Sequence, residues 1–156
     1  ARAQLKDAID VLVNGDGNKN PAGTLDVATD GKVTYRGLLK LHTSLTPYKL
    51  STILVSTSDM QEILSMPQFQ YSNTDLDFRG MNRMLTPLGA SLLHTSELES
   101  GQIIGLDKNC ALEMVQAGGV VTDYDKLIDR QFERATVTCT AGFSKIFTEA
   151  SKVMNC

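Results

Sequence analysis

What is scarce in this chain of 156 residues narrows its function before any pattern is read. Tryptophan is absent, aromatic residues make up 6%, and there are two histidines, His42 and His94. Neither has a partner at the H-x-x-x-H or H-E-x-x-H spacing, so no metal centre is expected. The three cysteines, Cys110, Cys139 and Cys156, stand far apart with no C-x-x-C pair. That argues against a disulfide framework and for a reducing compartment. Basic residues number 15 against 18 acidic ones, a formal net charge of −3. A dedicated nucleic-acid-binding domain would carry a basic stripe, whereas a container around nucleic acid need not grip its cargo. No apolar run approaches the ~20 residues that span a bilayer, and no signal peptide is visible, so no membrane partner is expected. Hydrophobic content of 42% and charged content of 21% are ordinary. A chain of this length buries roughly 70% of its unfolded surface, sufficient for one good core or two small ones.

Catalytic and cofactor signatures are equally thin. Gly142-Phe143-Ser144 begins like a nucleophile elbow, but Ile146 occupies the closing glycine position. Residues 14–23 (NGDGNKNPAG) are turn chemistry. As a calcium loop from Asp16 they would place Pro21 at the sharp-turn glycine and Val27 at the bidentate glutamate. As a dinucleotide fingerprint, Gly15-x-Gly17 is followed by Asn20 and comes after a helix instead of a strand. No catalytic residue, cofactor or metal ligand is therefore assigned, and the chain reads as a non-enzyme.

The apolar pattern is more informative. Leu5, Ala8, Ile9, Leu12 and Val13 share one helical face near the start. Tyr35, Leu38, Leu39, His42 and Leu45 keep helical spacing until Thr46-Pro47, with Gly37 weakening that helix by ~1 kcal/mol. Residues 51–56 (STILVS) read as a buried strand, and Ser58-x-x-Gln61 as the capping box of a short helix carrying Met60, Ile63 and Leu64. A strand feeding a capped helix suits a layered sheet. Residues 88–94 and 102–106 read as further strands. Asp107 stands as the N-cap of a helix over residues 108–116, which Gly118-Gly119 would stop. From Arg134 to Ala141 the alternation is complete, with Arg134, Thr136, Thr138 and Thr140 on one side and Ala135, Val137, Cys139 and Ala141 on the other. Period two predicts a half-buried strand, which makes Cys139 a small buried hydrophobe. Gly142 is expected to break it, and Phe143, Ile146 and Phe147 restart an apolar patch.

The segments IIGLD…ALE, DKLIDRQ.ERA and GFSKIF..AS.V occur in that order over the last third of the chain. In that order they resemble the C-terminal part of major capsid proteins of tailed bacteriophages or prophages. The resemblance implies an α+β, Johnson-type capsid fold with an axial layered domain and a peripheral helix-plus-long-strand domain. Residues 1–22 would be the end of the spine helix and a connector, and residues 23–123 the axial domain. Residues 124–142 would form the long peripheral strand, and residues 143–156 return toward the axial domain. The family's extended loop and N-terminal arm have no counterpart, so the chain reads as a fragment. Residues 120–131 are ambiguous: Thr122-x-x-Asp125 with Val121, Tyr124, Leu127 and Ile128 fits a short helix. The resemblance favours extended chain there, and extended chain is expected.

The function so implied is a shell subunit that assembles into an icosahedral head around phage DNA. Its partners would be copies of itself in pentamers and hexamers, with scaffold, portal or cement proteins, and double-stranded DNA held without sequence preference. It would reside in the virion, and in the bacterial cytoplasm during assembly. Candidate interface residues are the charges Asp129, Arg130, Glu133 and Arg134 at the mouth of the long strand. To these are added Phe69, Tyr71, Phe78 and Arg79 in the irregular stretch 68–86, because long irregular loops in compact domains usually carry function. For the charges the plainer reading is an exposed edge that discourages uncontrolled pairing. An encapsulin-like protein compartment shares the implied fold. A different class, a small α/β ligand-binding or hydrolase-like domain, would place a pocket at the C-terminal end of the strand at 51–56.

Overall fold

The computed structural model describes residues 2–15, 17, 19–27, 31–70, 83–85, 88–127 and 132–156, with positions 70, 83–85, 120, 121, 123–127 and 132–136 described by backbone alone. The elements run α1 (Arg2–Asn14), β1 (Gly23–Asp26), α2 (Tyr35–Ser44), β2 (Thr52–Val55), α3 (Thr57–Ser65), α4 (Pro67–Gln70), β3 (Arg83–Leu85) and β4 (Ser91–His94). They continue with β5 (Gln102–Leu106), β6 (Leu112–Leu127), β7 (Phe132–Lys145) and β8 (Ser151–Asn155). Six strands form a mixed sheet in the order β1-β8-β5-β2-β4-β3, and β6 and β7 pair separately as a two-stranded ribbon.

The main sheet is buried on both faces, because alternate side chains of its central strands are apolar on either side. Ile53, Val55, Ile103 and Met154 pack with Leu38 and Leu41 of α2 and Ile63 of α3. Leu54, Ile104, Leu106 and Val153 point the other way and pack with Ile9 and Leu12 of α1. Each such buried Leu or Ile contributes about 1.5–3 kcal/mol. In α2, Leu41 is buried while Leu39 and His42 are exposed, so the apolar face is turned slightly from the one the spacing suggested.

Two close approaches set the layer geometry. Thr34 caps α2, its side chain accepting from Gly37 N at 3.2 Å. Gly105 in β5 faces α2: a β-carbon there would lie 2.9 Å from side-chain atoms of Leu41 and Leu50. The residue is a glycine because the helix lies on the strand backbone itself.

Several local expectations are corrected. The helix after β2 begins two residues earlier than the box at Ser58 implied. Ser56 is its N-cap, accepting from Asp59 N at 3.2 Å and donating to Asp59 Oδ2 at 2.8 Å. The helix expected over residues 108–116 is absent. Asp107 does cap a single turn, its carbonyl accepting from Ala111 N at 2.9 Å, but Leu112 then enters a strand. Leu112, Met114 and Gln116 pair with Lys145, Phe143 and Ala141, and this long partner overrides a weak helical preference. Gly118-Gly119 fall in the irregularity between Ala117 and Val121, a bulge and not a stop. Gly142 likewise does not end its strand, which runs on to Lys145. Residues 120–131 are extended as far as Leu127, and 128–131 lie outside the described residues. Strand β6 runs across positions 123 and 124, and β7 across 142 and 143.

Replacing Gly105 by alanine forces Leu41 and Leu50 aside, and an overpacked core of this kind loses about 1–3 kcal/mol. A lowered urea midpoint with an unchanged slope is the expected reading, with Gly105→Val worse than Gly105→Ala.

Candidate subunit interface

The ribbon leaves the main sheet at one end. Its root is stitched by Asp107, whose Oδ2 accepts from Lys49 N at 3.2 Å and whose Oδ1 accepts from Asn109 N at 3.1 Å. Ile146 N and Phe147 N then donate to Ala111 O and Cys110 O, both at 3.2 Å, where the chain returns. The pairing register puts Met114 and Gln116 on the same face as Phe143, Ala141, Cys139 and Val137. Along that face Gln116 Nε2 donates to Cys139 Sγ at 3.2 Å.

Near the root this face is half-covered at Ala141, Phe143 and Lys145, where α1 lies against β7. Further out it is bare. Met114 is 59% exposed and Val137 64%, while Val115 on the opposite face is 58% exposed. Together with Ile146 and Phe147 at the root, these are five of the seven large hydrophobic side chains exposed among the described residues. Residues 137–140 are exposed on both faces, Cys139 among them, which corrects the expected buried hydrophobe. Beyond the stretch that α1 covers, no second layer buries either face among the described residues, and a two-stranded ribbon is marginal in water by itself. An apolar ribbon of this kind is a surface built to be covered.

At the opposite end of the sheet, where a pocket was conceivable, the described polar groups are hydrogen-bonded to one another around Asp59. Asp59 is buried, and both its carboxylate oxygens are in use. Ser100 Oγ donates to Oδ1 at 3.1 Å, while Gly101 N and Ser56 Oγ donate to Oδ2 at 3.0 and 2.8 Å. Cys156 N donates to Gly101 O at 2.9 Å, tying the last strand to the same turn. Burial, with the Asp59 and Glu62 carboxylates nearby, pushes the Cys156 thiol up from its ordinary value. This end is a structural lock on the C-terminal ends of β2 and β8. Among the described residues no cluster of three or more metal-ligating side chains occurs. Ser144 lies in β7 and not on a strand-to-helix elbow.

The residues singled out from sequence are dispersed. Phe69 is buried in the core, edge-on to Tyr35 with ring centroids 6.1 Å apart, so it is withdrawn from the surface. Tyr71, Phe78, Arg79, Asp129 and Arg130 lie outside the described residues. Glu133 and Arg134 stand in β7 at the register positions opposite Lys126 and Asp125. Met114, Val115 and Val137 were missed as interface candidates. For Val137 the signal was the alternation at 134–141, which reports that a face is apolar without saying whether the same chain covers it; Met114 and Val115 lay in a segment that reads as helix.

Several solved structures share this architecture. The capsid of an empty GTA particle matches 99% of the chain at a TM-score of 0.65 and 11% identity, over 62% of its own length. A virus-like particle from Pyrococcus furiosus matches 99% at 0.66 and 10% identity, over 61% of its length. The holo-SrpI encapsulin complex from Synechococcus elongatus PCC 7942 matches 98% at 0.60 and 13% identity, over 61% of its length. The chain thus spans about three-fifths of each of these proteins. No family model matches it, and no curated protein does. At such identities the likeness establishes the fold: this is an α+β chain with the capsid-type fold.

Two measurements test this description. Asp59→Ala leaves the Ser100 hydroxyl and the Gly101 N–H without their acceptor, so stability in urea should fall by about 1–3 kcal/mol. A catalytic carboxylate held at a cost would instead raise stability when removed. In timed alkylation followed by peptide mass analysis, Cys139 should react before Cys110 and Cys156, since exposure and thiolate formation control the rate.

Proposed function

We propose that the chain is part of a shell subunit that assembles with copies of itself into a closed icosahedral container, in the first instance a phage or prophage head around double-stranded DNA. The observation that carries this reading is the contrast between central sheet strands buried on both faces and a ribbon on which Met114, Val115 and Val137 are exposed. A protein acting alone gains nothing from Met114, Val115 and Val137 in water. A subunit buries them against a neighbour, and heterologous contacts repeated around an axis close into rings. Match to a GTA capsid, a virus-like particle and an encapsulin over nearly the whole chain supports the same conclusion.

In this reading the main sheet with α2–α4 is the axial domain, and α1 with the ribbon belongs to the peripheral domain. Pentamers and hexamers are the capsomers, and scaffold, portal or cement proteins are further partners. DNA is enclosed without sequence-specific contacts, in keeping with a net charge of −3. The subunit acts by assembly and not by turnover, in the bacterial cytoplasm first and in the virion afterwards. Tyr71, Phe78, Arg79, Asp129, Arg130, Glu133 and Arg134 remain proposed contact residues. An encapsulin-like compartment is the second reading, supported by the match to the Synechococcus elongatus shell.

Expression of the complete gene product, followed by light scattering and electron microscopy, tests the proposal. Closed shells or rings are expected, and Val137→Lys with Met114→Lys should leave a folded subunit that no longer assembles. A complete product that stays monomeric across concentration and salt sinks the shell reading. Nuclease-protected DNA inside purified shells separates a head from a compartment, which would instead co-purify with a protein cargo.

A further inference from the structure

Helix α1 carries no basic residue in its own last turn. The carbonyls of a final turn lack intrahelical donors and must be satisfied from elsewhere. Here Gly15 N donates to Val11 O at 2.9 Å and Ala22 N to Val13 O at 3.0 Å. Between them, Leu12 O accepts from the ammonium of Lys145 at 3.1 Å, and the same ammonium donates to Asn20 O at 3.3 Å. The chain returns to this point because Gly15 adopts a φ of 78°, where a β-carbon would lie 1.8 Å from Lys19 O. Lys145 is half-buried and is the last residue of β7, directly opposite Leu112, the first of β6. One side chain at the root of the ribbon therefore grips both the end of α1 and the loop that follows it. A cation at a helix C-terminus is favoured by the helix dipole, and charge-assisted hydrogen bonds are the stronger kind.

We propose that Lys145 is a tether that sets the direction of the ribbon by fastening its root to the C-terminal end of α1. Because α1 is packed on the main sheet through Ile9 and Leu12, the tether passes the position of the sheet to the ribbon. The backbone contacts at Ala111 and Cys110 hold the root, α1 lies against β7 beyond it, and Lys145 adds the polar contact that joins the two. Lys145 is a positioning residue, and it belongs to the single chain, so the proposal stands or falls independently of what the chain assembles into.

Hydrogen–deuterium exchange on the unassembled chain tests it, comparing the native protein with Lys145→Met and Lys145→Arg. In the methionine variant, amides at residues 9–15 and 112–117 should exchange about tenfold faster or more, while those of β2 and β5 stay unchanged, because local opening is separable from global unfolding. The arginine variant, which keeps the cation, should stay close to native. Faster exchange confined to residues 9–15 would reduce Lys145 to a helix cap and overturn the tether. Faster exchange in β2 and β5 as well would make it a general stability residue, with the same consequence. No change at either site, or an arginine variant as fast as the methionine one, overturns it too.

Discussion

The structure depends on strand β5 being buried on both faces while bonded on both edges. Gln102–Leu106 is hydrogen-bonded to β2 on one side and β8 on the other. Ile103 faces α2 and α3, and Ile104 and Leu106 face α1. A strand in this position has no freedom of register, because a slip of one residue would exchange its two apolar faces and put Gly105 on the wrong side. Everything after it is aimed from its end. Asp107, held by Lys49 N and Asn109 N, turns the chain out of the sheet, and the ribbon starts five residues beyond Asp107, at Leu112.

From that fixed point the molecule divides energetically. The main sheet and its helices bury Leu38, Leu41, Leu45, Ile53, Val55, Ile63, Ile103, Ile104 and Met154 almost completely. Polar groups at its far end are matched with one another around Asp59. Among its described residues the ribbon has backbone pairing but little side-chain burial, and Met114, Val115 and Val137 face water. Hydrophobic surface spent in this way stabilises nothing within one chain, so its value lies in association, which is the physical basis of the proposed shell role. The Lys145 tether gives that reading a mechanical counterpart, since a surface offered to a neighbour is useful only if its direction is held.

Much of the fold was legible in the residues. Helix α1, helix α2 ending before Thr46-Pro47, the buried strand at Thr52–Val55 and the strand at Gln102–Leu106 follow from period and punctuation alone. The capsid-type α+β fold was legible from the ordered segments in the last third. Local chemistry was misread where two choices nearly tied. Ser56 and Ser58 both offer a cap, and Ser56 prevails because Asp59 also answers to Ser100 and Gly101 across 41 and 42 residues of chain. The candidate site was legible only in part: the alternation at 134–141 was seen, but Met114 and Val115 were hidden in a segment that reads equally well as helix.

What the sequence determined by itself is which residues want company: the stripes of α1 and α2, the apolar strands, and the alternating face that carries Val137 and Cys139. What only the tertiary structure decided is who supplies that company. Residues 112–117 became a strand because β7 lay beside them, and Phe69 became core because Tyr35 met it. Val137 stayed bare because no second layer reaches it among the described residues. Hydrophobicity and period are properties of a short window of chain, whereas burial depends on partners far apart in sequence, and no local pattern encodes whether such a partner belongs to the same molecule.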